Sequence, residues 1–189
     1  MAIFARNDRR GFTLVEIMIV VVIVGMMATL SVTNFQAGQE DDALRIGVLR
    51  IADQLRVAQN YAQTGIHAGT ATARAYGVYI KKPDAITSFA DLSGDPVGMK
   101  DASDPEIGSP ITLKVGSRSN IRIDSDKGIM VDGVRRDEVT VAFRTPNASG
   151  LVDGKTEGNS IVITLHNTRN NHTKSVTINR ITGRVDTEY

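Results

Sequence analysis

Between Phe12 and Val32 the chain carries a single formal charge, Glu16, in an otherwise apolar run. A helix of about 20 residues covers the ~30 Å of hydrocarbon in a bilayer, so this run reads as a membrane span. Three arginines precede it in "MAIFARNDRR". Basic residues ahead of a span hold that end in the cytoplasm. The carboxylate is the anomaly. An acid inside a span costs about 2.5–3.5 kcal/mol on insertion scales, so Glu16 calls for a compensating role.

A secretory signal is cut after its apolar region, at small residues in an A-x-A arrangement. "MMATLSVTNF" matches that poorly. The small residue here is Gly11, which lies before the apolar run, between "RR" and "FTLVE". A cut at that point removes the basic leader and keeps the hydrophobic helix.

These residues resemble the class III signal of type IV prepilins and type II secretion pseudopilins. The resemblance covers roughly residues 6 to 35. It implies cleavage by prepilin peptidase between Gly11 and Phe12, N-methylation of Phe12, and an assembly role for Phe12 and Glu16. Cleavage frees a positive amine on Phe12, and opposite charges attract strongly in a dry environment. Phe12 and Glu16 are i and i+4 neighbours if both are helical, which allows a local pair. In relatives the glutamate meets the amine of the next subunit, which would set an axial step. The plainer alternative is a carboxylate snorkelling to the headgroup boundary. Many relatives have a proline where Thr33 stands here. Proline breaks helix hydrogen bonding, so without it residues 12 to about 64 are expected as one curved helix, with Gly25 able to loosen its middle.

After Asn34 the pattern changes. Leu44, Val48, Ile51, Leu55, Ala58 and Ala62 recur at steps of three and four, with Asp42, Arg45, Arg50, Asp53 and Arg56 largely between them. That spacing predicts an amphipathic helix with one core stripe, and Gly65 suits its C-cap. Beyond Gly65 strands are expected in "ARAYGVYIKK", in "NIRIDSDKGIMV" around an Asp-Lys-Gly turn, and in "DEVTVAFRT". "NSIVITLHNTRNNHTKSVTINRITGRVDTEY" should hold two strands and, after a turn at Thr182-Gly183, a short third. Residues 83–110 and 145–159 are rich in Gly, Pro, Asp and Ser and are expected to be loops.

The expected fold is α+β, a long N-terminal helix packed on an antiparallel head. Its divisions are a leader (1–11), a membrane and assembly helix (12–33), an amphipathic helix (34–65) and a β-rich head (66–189). "LRIADQLRVAQNYAQTG", "YGVYI" and "SVTINRITGRV" resemble the GspH/FimT type of minor pseudopilin. The family resemblance implies an inner-membrane, single-pass protein with its head in the periplasm or outside the cell. Its partners would be other pilin or pseudopilin subunits, the peptidase, an assembly platform and, before assembly, lipid.

Other chemistry finds little footing. With no cysteine there is neither a disulfide framework nor a thiolate metal site. His67, His166 and His172 lack the acidic company of a metal centre. "DSDKG" at 124–128 is too short for a calcium loop and is expected to be a turn. No hydrolase, metalloprotease, P-loop or dinucleotide motif occurs, so neither an enzyme nor a cofactor is expected. The alternatives are a main filament subunit and a DNA-binding minor pilin. The latter would use bases of the C-terminal half: Arg169, Lys174, Arg180 and Arg184, with Arg135 and Arg136 nearby. Against it, Asp186 and Glu188 follow the "GR" turn, and lysine plus arginine exceed aspartate plus glutamate only by 22 to 21.

Overall fold

The first proline of the chain is Pro83, and nothing upstream of it forces a helix to break. Accordingly α1 runs unbroken over Leu14–Thr64, 51 residues. It stops where the sequence reading places the cap. Gly65 has a φ of 64°, and its N–H donates to the Tyr61 carbonyl at 3.0 Å, closing the last turn in the left-handed conformation that glycine adopts without strain. The structure is a computed structural model and describes residues 12–65, 72–92, 96–113 and 120–188, with the backbone alone for 30–37. It divides into two units, Met1–Gln39 and Glu40–Tyr189.

The second unit is α+β. One sheet has the order β3-β2-β1-β7-β8, built from β1 (Ala75–Lys81), β2 (Ala85–Asp91), β3 (Ile111–Thr112), β7 (Glu138–Arg144) and β8 (Ser149–Val152). The other has the order β11-β10-β9-β5-β6, from β5 (Ile129–Val131), β6 (Val134–Arg136), β9 (Ser160–Asn167), β10 (Thr173–Asn179) and β11 (Val185–Glu188), with β4 (Ile121–Ile123) also on β9. Every pairing is antiparallel.

Leu44, Val48, Ile51, Leu55, Ala58 and Ala62, the predicted stripe, are all buried and share one core with inward residues of both sheets, among them Tyr76, Val78, Ile163 and Leu165. A smaller cluster of Ala75, Phe89, Ala142 and Leu151 lies apart from it on the alternate residues of the first sheet, with Val97 packed against it.

Two expected loops are wrong. Within 83–110, Ala85–Asp91 is a full strand paired along its length with β1. It buries Ile86, Phe89 and Ala90 on alternate faces, so the alternation that marks a half-exposed strand is blurred. Within 145–159, Ser149–Val152 is β8, paired with β7. The segment 121–131 does contain two strands, but its turn does not reverse the chain. Both β4 and β5 pair with β9, so residues 124–128 are an excursion within one broken strand. A hairpin joins β5 to β6 through Asp132-Gly133, both with positive φ. Asp-Gly between apolar residues is a strong hairpin signal, and "VDGV" carried it.

Sheet edges are capped by side chains and by a backbone turn. Arg50 donates to the Thr112 carbonyl of β3 at 3.2 Å, and Arg56 to the Val185 carbonyl of β11 at 3.4 Å. Val152 of β8 exchanges backbone hydrogen bonds with Lys155, each 2.9 Å long. Such capping denies a stray strand its template.

Candidate functional site

The helix begins at a specific device. Thr13 is its N-cap: the Ile17 N–H donates to the Thr13 carbonyl at 3.3 Å, and the Glu16 N–H donates to Thr13 Oγ1 at 3.3 Å. A hydroxyl at this position satisfies one of the backbone donors that open every helix, worth about 0.5–2 kcal/mol. Sequence reasoning missed this role, although Thr-x-x-Glu before an apolar run is the capping-box pattern. Glu16 therefore stands in the first turn, where the positive end of the helix dipole favours a negative charge by about 0.3–1 kcal/mol. Its carboxylate is exposed and has no hydrogen bond or ion pair with another described residue.

Phe12 lies ahead of the cap, outside the helix and 79% exposed. The helical i, i+4 spacing for a local pair with Glu16 is therefore not realised here. Gly11 lies outside the described residues. Every large apolar side chain from Leu14 to Met27 is at least half exposed. A helix apolar all round needs an apolar surrounding. Among the described residues no helix is long and apolar enough to cross a membrane.

Among the described residues, Arg169, Lys174, Arg180 and Arg184 are held by different partners. Lys174, near the start of β10, lies 3.2 Å from Asp41, and Arg169 lies 2.9 Å from Glu40. Arg180 follows the other end of β10, some six residues or about 20 Å away. Its Nε donates to the Gly158 carbonyl at 2.6 Å and its Nη1 to the Gly150 carbonyl at 3.3 Å. Arg184 pairs with Asp186 at 2.7 Å. Arg135 donates to the Ser125 carbonyl, while Arg136 is exposed on β6.

The histidines have separate partners. His166 meets Asn171 at 3.2 Å and His172 meets Asp41 at 3.4 Å, while His67 lies outside the described residues. Among those residues no group of three or more His, Asp or Glu side chains is placed to hold a metal. Asp124 opens the 124–128 turn by accepting from the Asp126 and Lys127 N–H groups at 2.7 and 2.6 Å. Burial is the largest single influence and raises its pKa, but these two N–H donors together with nearby His166 and Lys127 outweigh it, and the net shift is downward. A cavity of about 140 Å³ between α1 and β1–β2 is lined mainly by Tyr61, Tyr76, Phe89 and Ile107. There the Ser88 hydroxyl donates to Gln54 Oε1 at 2.7 Å.

Residues 6–32 match the prokaryotic N-terminal methylation motif, which is of the type IV prepilin kind. It supports a pilin-like or pseudopilin subunit in general terms. Comparison with curated proteins and with solved structures returned no match. The chain thus carries, at its N-terminus, the methylation motif of type IV prepilin-like proteins.

Proposed function

We propose that this chain is a filament subunit of the type IV pilus or type II secretion pseudopilus kind, made as a precursor and trimmed between Gly11 and Phe12. Hydrolysis adds one water across that amide, leaving a carboxylate on Gly11 and an amine on Phe12 for methylation. The methylation motif at residues 6–32 carries this reading. Two features agree with it: apolar side chains exposed all round the helix, and a first-turn carboxylate uncommitted among the described residues. Before assembly, lipid of the inner membrane would cover residues 12–33. After assembly, neighbouring helices would, with Glu16 meeting the amine of an adjacent Phe12. The head would lie in the periplasm or outside the cell.

Within that class we favour a minor subunit of GspH/FimT type over a main fibre subunit. A role in DNA uptake gains no support from Arg169, Lys174, Arg180 and Arg184, each of which is engaged by a carboxylate or carbonyl. The test is Glu16→Ala in the native host. The variant should insert in the membrane and be trimmed, yet be missing from sheared filaments or pseudopili. Normal incorporation would refute the charge-pair role, and an intact leader in the wild-type protein by mass spectrometry would refute the subunit reading itself.

A further inference from the structure

We infer that the cavity between α1 and the β1–β2 pair is a binding site for a single aromatic ring that carries one hydrogen-bond acceptor. Every wall residue lies in the Glu40–Tyr189 unit, so the site is independent of how the N-terminus is processed. The space arises from two small side chains. Ile86 and Ala90 of β2 pack in the main core with α1, whereas Phe89 belongs to the separate smaller cluster, so Ser88 shares the α1 face by strand alternation. On the helix, Ala58 stands in the buried stripe. Where a larger pair would close the gap, Ser88 and Ala58 line about 140 Å³ of open space. A cavity of roughly 150 Å³ holds one benzene ring.

The walls select the kind of ring. Tyr61 and Tyr76 stand edge to face, with centroids 5.7 Å apart and planes at 66°, an arrangement that a third ring extends through its quadrupole. Val57, Ala58 and Ile107 add hydrocarbon, which offers a water none of the two to four polar partners it needs. One polar group is placed among them. The Ser88 hydroxyl donates to Gln54 Oε1 at 2.7 Å, which fixes the amide and leaves its Nε2 donors without a partner among the described residues. A mostly apolar pocket with an uncommitted donor suits an apolar ligand with one acceptor. The rim is firm: the Ile107 N–H donates to the Ser88 carbonyl at 2.8 Å, and the Ala90 N–H to the Pro105 carbonyl at 3.1 Å. Exposed Gly108 also lines the cavity and marks its solvent side.

The experiment follows methyl NMR signals of Val57 and Ile107 in the full-length protein, held in detergent micelles. Acetophenone, a ring with one carbonyl acceptor, should shift both signals saturably. Ala58→Leu, which fills the cavity from the helix side, should abolish that response. Ser88→Val fills it from the strand side and gives the same test if the helix variant does not fold. Gln54→Met keeps the chain length and loses the donor. It should weaken acetophenone by roughly three- to tenfold and leave ethylbenzene, the isostere without an acceptor, unchanged. Cyclohexyl methyl ketone keeps the carbonyl but has no aromatic face, and should bind about threefold more weakly than acetophenone. Shifts that rise linearly with dose, equally in the wild type and the filled variants, would mean partition into micelles and would overturn the inference. So would a Gln54→Met variant that binds acetophenone as the wild type does, or a cyclohexyl ketone that binds as tightly as the aryl one.

Discussion

Arg180 donates to the carbonyl of Gly150 at 3.3 Å, tying the segment after β10 in one sheet to β8 at the edge of the other. A second bond, to the Gly158 carbonyl at 2.6 Å, holds the loop before β9. Hydrogen bonds from a charged donor contribute about 1.5–3 kcal/mol. Arg180→Ala should therefore lower the stability of the detergent-solubilised protein by about that much in urea unfolding. Arg180→Lys should recover only part, since an ammonium lacks the planar fork that spans two acceptors. A DNA-contact role predicts the reverse pattern: unchanged stability with weaker, salt-sensitive retention of duplex DNA.

Gly128 closes the excursion between β4 and β5. Thr164 of β9 serves both ends of it, accepting from the Asp124 N–H at 2.9 Å and donating to the Gly128 carbonyl at 2.7 Å. A Cβ on Gly128 would fall 2.0 Å from the Asp124 carbonyl oxygen, which is backbone and cannot swing aside. Gly128→Ala should cost about 2–3 kcal/mol in the same assay. At Gly38 an added Cβ meets nothing within 4 Å, so Gly38→Ala should be neutral or slightly stabilising. Equal effects at the two sites would contradict the steric argument.

What could be read from the sequence follows the physics of each element. The α1 stripe was legible because one face meets the core and the other does not, giving the 3.6-residue period. The strands β1, β7, β9 and β10 were legible from β-rich runs between turns. β2 was hidden because its sheet is covered at Phe89 and Asp91 as well as at Ile86 and Ala90, and because serines and aspartates there read as loop chemistry. β8 is four residues long and contains Gly150, too short to show a period. At the N-terminus, Glu16 was visible as an unexpected charge, whereas the Thr13 cap required reading "TLVE" as a helix start as well as a processing signal. The partners of the basic residues were not legible for a plain reason. A sequence shows charge but not the carbonyls and carboxylates that fold back onto it.

Asp91 is fully buried at the end of β2, and its Oδ2 accepts the Gly98 N–H at 2.6 Å. That bond holds Gly98 where an added Cβ would lie 2.7 Å from Leu151 and 3.2 Å from Ala142, so the segment is pressed against the smaller core cluster. Asp91→Ala leaves the Gly98 donor unsatisfied, costing about 1–3 kcal/mol, and should loosen the segment before the whole unit unfolds. Limited trypsin digestion should cut after Lys100 in the variant at doses that leave the wild-type protein whole. Resistance equal to wild type would show that Val97 packing alone suffices.

Asp41 on α1 lies 3.2 Å from Lys174 and 3.4 Å from His172. The hydrogen bond from Lys174 is the main force lowering its pKa below the usual 3.8; slight burial opposes it and His172 assists. A carboxyl whose pKa is lower folded than unfolded stabilises the fold above its unfolded value, and that stabilisation is lost as pH falls through the folded one. The pair is partly exposed, with Asp41 at 46%, so screening limits it to about 0.2–1 kcal/mol. Asp41→Asn mimics the protonated side chain. It should be less stable than wild type by that amount from pH 7 to pH 5, with the gap closing as pH falls below 3.8. High salt at pH 7 should shrink the gap as well. A difference that persists in strong acid would mean that Asp41 contributes through its hydrogen-bonded shape and not through its charge.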